Sequence, residues 1–225
     1  MINISDNDKL LVFAPHPDDE ILGCGGLISK IKSFCGKVYV SLFTYGDYGK
    51  IQHVRKNEFE NVMNFMNVDS FECMFSDKYH LRLDQVPIYD LIQKIESSIR
   101  RIKPTICAIP FPSFNQDHRQ VYEACIAALR PPAYPEHDNY FHVIIYEYPQ
   151  ISWTPESQGF TPNLYFNIDF EIDKKIEAFN FYRSQQKSGN YAISKDGILS
   201  LAEFRGKEVS MRCAEAYMIK RGIIC

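Results

Sequence analysis

The chain of 225 residues predicts a Rossmann-like, doubly wound α/β fold: a mostly parallel sheet of strand order 3-2-1-4-5 with helices on both faces. Two observations carry this. Short apolar, β-rich runs alternate with segments whose apolar residues recur at helical spacing, through four successive strands. The apolar pattern is broken most sharply after the first and fourth runs, at residues 16–20 and 115–118. The strand order is assumed from the usual doubly wound arrangement, which sets strands one and four side by side and opens a ligand crevice beyond their carboxyl ends.

Lys9 to Pro15 reads as the first strand, nearly continuous in apolar residues as a strand buried on both faces would be. Ile21, Leu22, Leu27, Ile28 and Ile31 mark a helix to about Phe34, ended at Gly36. Lys37 to Thr44 is the second strand, Tyr45 to Gly49 a loop, and about Ile51 to Met66 the second helix. Phe71 to Phe75 follows as a third strand, and Ser76 to Leu83 as a polar loop with Tyr79, His80 and Arg82. A third helix runs from Gln85 to Arg101, stopped by Lys103-Pro104, before the strand Thr105 to Pro110.

Arg119 to Leu129 is the fourth helix and His142 to Tyr148 the fifth strand. Pro149 to Pro162, with Trp153, is the longest loop. A short strand, Leu164 to Ile168, then precedes helices at about Phe170 to Gln186 and Lys195 to Ile219. No linker or repeat divides the chain. The expectation is one domain over residues 1–225, with 150–225 a short strand plus helices packed on the rest.

Composition narrows the classes. A formal net charge of −3, with no basic block beyond Arg100-Arg101 and Lys174-Lys175, gives no nucleic-acid or polybasic membrane signature. Hydrophobic content of 45% suits a full core, yet no run approaches the ~18 apolar residues of a membrane span. The amino terminus is too polar for a signal peptide. Seven cysteines without a Cys-x-x-Cys read as buried thiols in a reducing compartment, hence the cytoplasm. Homo-oligomerisation is left open.

The assumed order brings His16-Pro17-Asp18-Asp19-Glu20 to Asn115-Gln116-Asp117-His118 across about 100 residues of sequence. His16, Asp19 and His118 then offer two imidazoles and a carboxylate with one position open, the donor set of a catalytic zinc or another divalent metal. Asp18 can face the metal's water as general base. Each piece alone has a plainer reading. Asp18-Asp19 could cap the first helix, and Asp117-His118 could be a helix start with a surface histidine. Gly23-Cys24-Gly25-Gly26 is not Gly-x-Gly-x-x-Gly, and close helix–strand packing explains it better than a dinucleotide.

Ala14-Pro15-His16-Pro17-Asp18-Asp19-Glu20 followed by Gly23-Cys24-Gly25-Gly26 resembles the signature of the LmbE-like, or PIG-L, zinc-dependent N-deacetylases. Thr44-Tyr45-Gly46, Arg55-Lys56-Asn57-Glu58, Asn115-Gln116-Asp117-His118, Phe204-Arg205-Gly206 and Ala214-Glu215-Ala216-Tyr217 resemble further motifs of that family. The resemblance implies removal of an acetyl group from an N-acetylated amino sugar or its conjugate. It implies His16, Asp19 and His118 as zinc ligands, Asp18 as base, Arg55 as a substrate-binding cation and Asp117 as an orienting or tuning group.

Many members carry a histidine where this chain has Asn115, which can donate a hydrogen bond to an oxyanion but cannot deliver a proton. Asp18 would then return the proton to the leaving amine. His80 could help only if its loop folds over the site, and it is expected to be a solvated loop residue. The loops after strands two, three and five should border the crevice, with Tyr148 and Trp153 as candidate sugar platforms. The amino end of the first helix could favour an anionic group on the substrate. Two alternatives stay open: a non-catalytic carbohydrate- or nucleotide-binding domain, and a zinc amidohydrolase acting on another amide.

Overall fold

A computed structural model describes residues 4–46, 52–131, 141–150, 159–187 and 189–223. Its elements in chain order are β1 (Lys9–Ala14), α1 (Asp19–Ser33), β2 (Lys37–Leu42), α2 (Gln52–Phe65), β3 (Ser70–Cys73), α3 (Ile88–Ile102), β4 (Ile106–Pro110), α4 (Gln116–Ala128), β5 (His142–Tyr146), β6 (Leu164–Asn167), α5 (Ile172–Phe179), α6 (Lys195–Lys207) and β7 (Ala214–Arg221). The sheet order is β3-β2-β1-β4-β5-β7-β6. The first five strands are parallel and in the expected 3-2-1-4-5 order. β7 then pairs antiparallel to β5, and β6 antiparallel to β7.

β1 alternates between two cores. Leu10, Val12 and Ala14 pack on the face covered by α1, α2 and α5, with Leu27, Phe59 and Ile176. Leu11 and Phe13 point to the opposite face, under α3 and α4, with Ile95 and Val121. These five of the six β1 residues are fully buried, which is why their sequence shows no polar alternation.

The carboxyl-terminal region departs from expectation. The helix read over Lys195 to Ile219 stops at Lys207, and the chain returns as β7. Alanines and a glutamate suit a helix by propensity. Here the two-residue period decides: Cys213 and Tyr217 join the α1-side core and Met218 the other. The reversal needs Gly206, where a Cβ would stand 2.7 Å from the carbonyl oxygens of Met211 and Arg212. The helix at Phe170 to Gln186 is also shorter, with α5 giving way to turns after Phe179.

β7 explains the small residues of α1. Glu215 enters the helix from the side, accepting the Gly26 N–H at 2.7 Å and the Leu27 N–H at 2.8 Å. Lys175 donates to Glu215 Oε1 at 2.6 Å and to the Leu22 carbonyl at 2.8 Å. The Tyr217 hydroxyl bridges Glu215 Oε2 and the Gly23 carbonyl at 2.8 and 3.1 Å. A Cβ at Gly26 would stand 3.0 Å from Glu215 Cδ, and one at Gly23 would collide with the Tyr146 ring. The glycines therefore admit side chains to the helix backbone, and this buried network fixes the element that carries Asp19 and Glu20.

Candidate metal centre and its surroundings

β1 ends at Ala14, and Pro15 to Asp18 lead into α1 in one tight turn. Asp19 Oδ2 accepts the His16 backbone N–H at 3.0 Å, and the Asp19 N–H returns to the His16 carbonyl at 3.3 Å. The residue forced out of the ordinary backbone regions is Asp18, with φ 110°. Such a conformation costs on the order of 1–3 kcal/mol and persists only where its surroundings impose it.

The second cluster begins earlier on its helix than expected. α4 starts at Gln116 because Asn115 caps it, its Oδ1 accepting the Asp117 N–H at 2.9 Å. Asp117 and His118 are thus in the first turn, facing β1. Asn115 Oδ1 is committed to the cap, so only its amide nitrogen remains to meet a ligand.

The two clusters meet. His118 Nε2 lies 3.2 Å from Asp19 Oδ2, and His16 Nδ1 lies 3.6 Å from the same oxygen. Candidate donor atoms of His16, Asp19 and His118 are all within 4.8 Å of one another. Asp19 and His118 are 1% and 2% exposed, so solvent cannot balance their charge. Burial works against ionisation of Asp19, but His118 and His16 beside it hold its carboxyl below the usual range. Asp117 is likewise held low against its burial, by His16 and by the backbone N–H groups of Leu83 and Leu81. It takes His16 Nε2 at 2.9 Å and those two N–H groups at 3.0 and 2.8 Å.

These bonds test the site for a cation. With His16 Nε2–H given to Asp117, the Nδ1 lone pair faces an ionised Asp19 oxygen. His118 Nδ1 is buried without a partner among the described residues, so either tautomer leaves a ring nitrogen unmatched there. Facing lone pairs of two imidazoles and a carboxylate fit a divalent metal, and Asp117 supplies the outer hydrogen bond that orients a ligating histidine. His16, His80 and Asp117 form a second group of similar spacing. Asp117 is already saturated there and His16 is shared, so the first set is the better one.

Asp18 stands apart from this set. Burial first, then the neighbouring charge of Asp19, push its carboxyl well above the usual range, with Arg55 pulling the other way. Arg55 reaches in from α2; its Nη1 donates to the Gly46 carbonyl at 2.9 Å, and its buried Nε has no partner among the described residues. Behind Asp18, burial pushes Glu20 up to about 8, partly opposed by the short hydrogen bond from the Tyr182 hydroxyl. Tyr148, just past β5, sets its ring edge-on to His118 with centroids 5.1 Å apart. Trp153 and loop residues 47–50 lie outside the described residues.

His80 is not a solvated loop residue. It is 8% exposed, its ring centroid 4.8 Å from that of His16. The loop is drawn in because Asp117 takes the N–H groups of Leu81 and Leu83, and Gln116 Nε2 donates to the Leu81 carbonyl at 2.9 Å. Sequence reading missed this because loop polarity suggested solvent, whereas these loop N–H groups are satisfied by the second metal motif itself. Glu20 and Tyr182 were missed for a similar reason: a pair 162 residues apart leaves no local pattern.

Donors so placed at the switch point of a doubly wound sheet are those of a metal-dependent hydrolase. Residues 11–129 match the family described as PIG-L: GlcNAc-PI de-N-acetylase, a span that includes both clusters, and the chain belongs to that family. A relative from Bacillus cereus, described as a probable N-acetyl-alpha-D-glucosaminyl L-malate deacetylase 2, is 27% identical over 195 residues, covering 80% of this chain and 84% of its own. The N,N'-diacetylchitobiose deacetylase of Pyrococcus horikoshii superposes with a TM-score of 0.74 at 20% identity, over 95% of this chain and 84% of that one. The Pseudomonas putida 4-carboxy-2-hydroxymuconate hydratase GalB superposes as well, with a TM-score of 0.75 at 16% identity over 97% and 98% of the two chains. The fold is therefore shared by different chemistries, and the reaction must be argued from the site. Among the described residues no helix is long and apolar enough to cross a membrane.

Proposed function

We propose that this protein is a zinc-dependent hydrolase that removes the acetyl group from an N-acetylated amino sugar or its conjugate. The observation that carries this is the meeting of ring nitrogens of His16 and His118 and a carboxylate oxygen of Asp19 within 4.8 Å of one another, with Asp18 outside that group. Family membership and the B. cereus relative support the acetylated amino sugar as the substrate class. Two imidazoles and one carboxylate favour zinc among divalent metals.

When bound, the metal supplies an activated water and a Lewis-acid contact for the acyl oxygen. His16, Asp19 and His118 hold it, and Asp117 keeps His16 turned so that Nδ1 presents its lone pair. Asp18 takes a proton from the attacking water and returns it to the amide nitrogen, so that acetate and a free amine leave. Asp18 is free for that duty because it is outside the group His16, Asp19 and His118 whose donor atoms meet. Arg55, electrostatically coupled to Asp18 and with an unpartnered Nε, binds polar substrate groups at the rim.

A single seven-stranded sheet supports one domain over residues 1–225. Free cysteines at 24, 35, 73, 107, 125 and 213 support a reducing compartment, the cytoplasm. The test is a panel of N-acetylated sugar conjugates, N-acetylated peptides and cyclic imides, the first two read by acetate and free amine and the imides by the ring-opened half-amide. Acetate release from a sugar conjugate by metal-loaded protein is expected. Activity confined to peptides or imides would replace this reading with another amidohydrolase, and binding without turnover would replace it with a carbohydrate-binding role.

A further inference from the structure

His80 is held with more care than a loop residue needs. Its backbone N–H donates to the Asp77 carbonyl at 3.0 Å, and the next residue, Leu81, has φ 55°. On one side of its ring is Gly46, with φ 76°, where a Cβ would stand 2.6 Å from His80 Nδ1. The Gly46 N–H is tied at 3.0 Å to Asp77 Oδ1. The clamp on Leu81 and Leu83 comes from Asp117, the same carboxylate that orients His16. One residue thus ties the loop to the metal centre.

The ring has one nitrogen engaged and one spare. Nδ1 lies 3.3 Å from the hydroxyl of Thr44, a fully buried residue. Nε2 has no hydrogen-bond partner among the described residues. With Thr44 donating to Nδ1, the proton sits on Nε2. Asn115, the other candidate donor, has its Oδ1 held in the α4 cap by the Asp117 N–H, which leaves its amide nitrogen.

We propose that His80 is a further catalytic residue: a neutral imidazole whose Nε2–H hydrogen-bonds the acyl oxygen of the bound substrate as negative charge develops there. This rests on the deacetylase reading and assigns the donor which that reading leaves open at Asn115. No proton is transferred; the bond strengthens as the carbonyl oxygen gains charge.

The experiment compares metal-loaded wild type, His80→Ala and His80→Gln by turnover of an N-acetylated sugar conjugate, metal content and binding of ¹³C-acetate followed by NMR. Acetate is the product, and its binding needs no knowledge of the sugar. His80→Ala should lose about 10²–10³ in kcat, with full metal content and KM within about threefold. His80→Gln, which can still donate, should recover at least about tenfold. Acetate should bind more weakly to His80→Ala and regain affinity in His80→Gln. Equal acetate affinity in wild type and His80→Ala, or a Gln variant no better than Ala at full metal content, would overturn the role of His80. A wild type that hydrolyses no N-acetylated conjugate while the acetate result holds would instead overturn the deacetylase reading.

Discussion

Helix α1 meets buried charge twice, and the two clusters are built in opposite ways. At its middle, Glu215 is matched by Lys175, by two helix N–H groups and by the Tyr217 hydroxyl, whose single proton is shared with the Gly23 carbonyl, while Lys175 also donates to the Leu22 carbonyl. At its amino end, Asp18, Asp19 and Glu20 crowd together with two imidazoles, a buried ring nitrogen is unmatched and the backbone is strained. A closed network adds rigidity and asks for nothing more. An open one retains electrostatic need, which a cation and a substrate can meet. Burial alone, equal in the two clusters, does not distinguish structure from chemistry; the balance of donors and acceptors does.

Breaking each cluster should therefore give a different kind of loss. The largest effect is expected from Asp18→Asn: kcat/KM should fall by about 10²–10⁴, with metal content and thermal stability kept, as read by acetate release and a melting curve. Lys175→Met should do the reverse. It leaves Glu215 charged and unpaired, and about 3–5 kcal/mol of stability should go, measured by urea unfolding. Adding Glu215→Leu should restore much of it, since removing both charges relieves the desolvation.

A smaller, pH-dependent effect is expected at Glu20. Its carboxyl is raised from an ordinary 4.5 to about 8, so between these values the folded protein holds a proton that the unfolded chain has released. Stability must then fall as pH rises through that window. Glu20→Gln has no proton to lose, so its melting temperature relative to wild type should improve steadily from pH 5 to pH 8. The smallest effect is Asn115→Ala, which removes the α4 cap and should cost about 1 kcal/mol, largely recovered in Asn115→Asp.

The parallel half of the fold was legible because its central strands, β1 and β4, are buried on both faces and the helices between strands carry apolar residues at helical spacing. Local pattern suffices there: β1 to β5 follow the expected order. It fails for β7, where Ala-Glu-Ala-Tyr reads as helical and the strand is favoured by distant partners: Cys213 and Tyr217 in the α1-side core, and Glu215 fitted into α1 188 and 189 residues away. In the site, sequence sufficed for His16, Asp19 and His118 to be placed together, because strand order converts two polar interruptions into neighbours. His80 was misplaced because its own partner, Thr44, and the carboxylate that holds its loop at Leu81 and Leu83, Asp117, lie elsewhere in the sequence. Glycines 23 and 26 were legible as packing residues, although what they admit was not.

The most direct measurement is metal content and acetate release on the same samples of wild type, Asp18→Asn and His118→Ala. Wild type and Asp18→Asn should each retain about one equivalent of zinc, His118→Ala should lose it, and only wild type should release acetate at the full rate. A His118→Ala protein that kept both its metal and its rate would contradict the assignment of the centre, and an Asp18→Asn protein with full turnover would contradict the separation of metal binding from proton transfer.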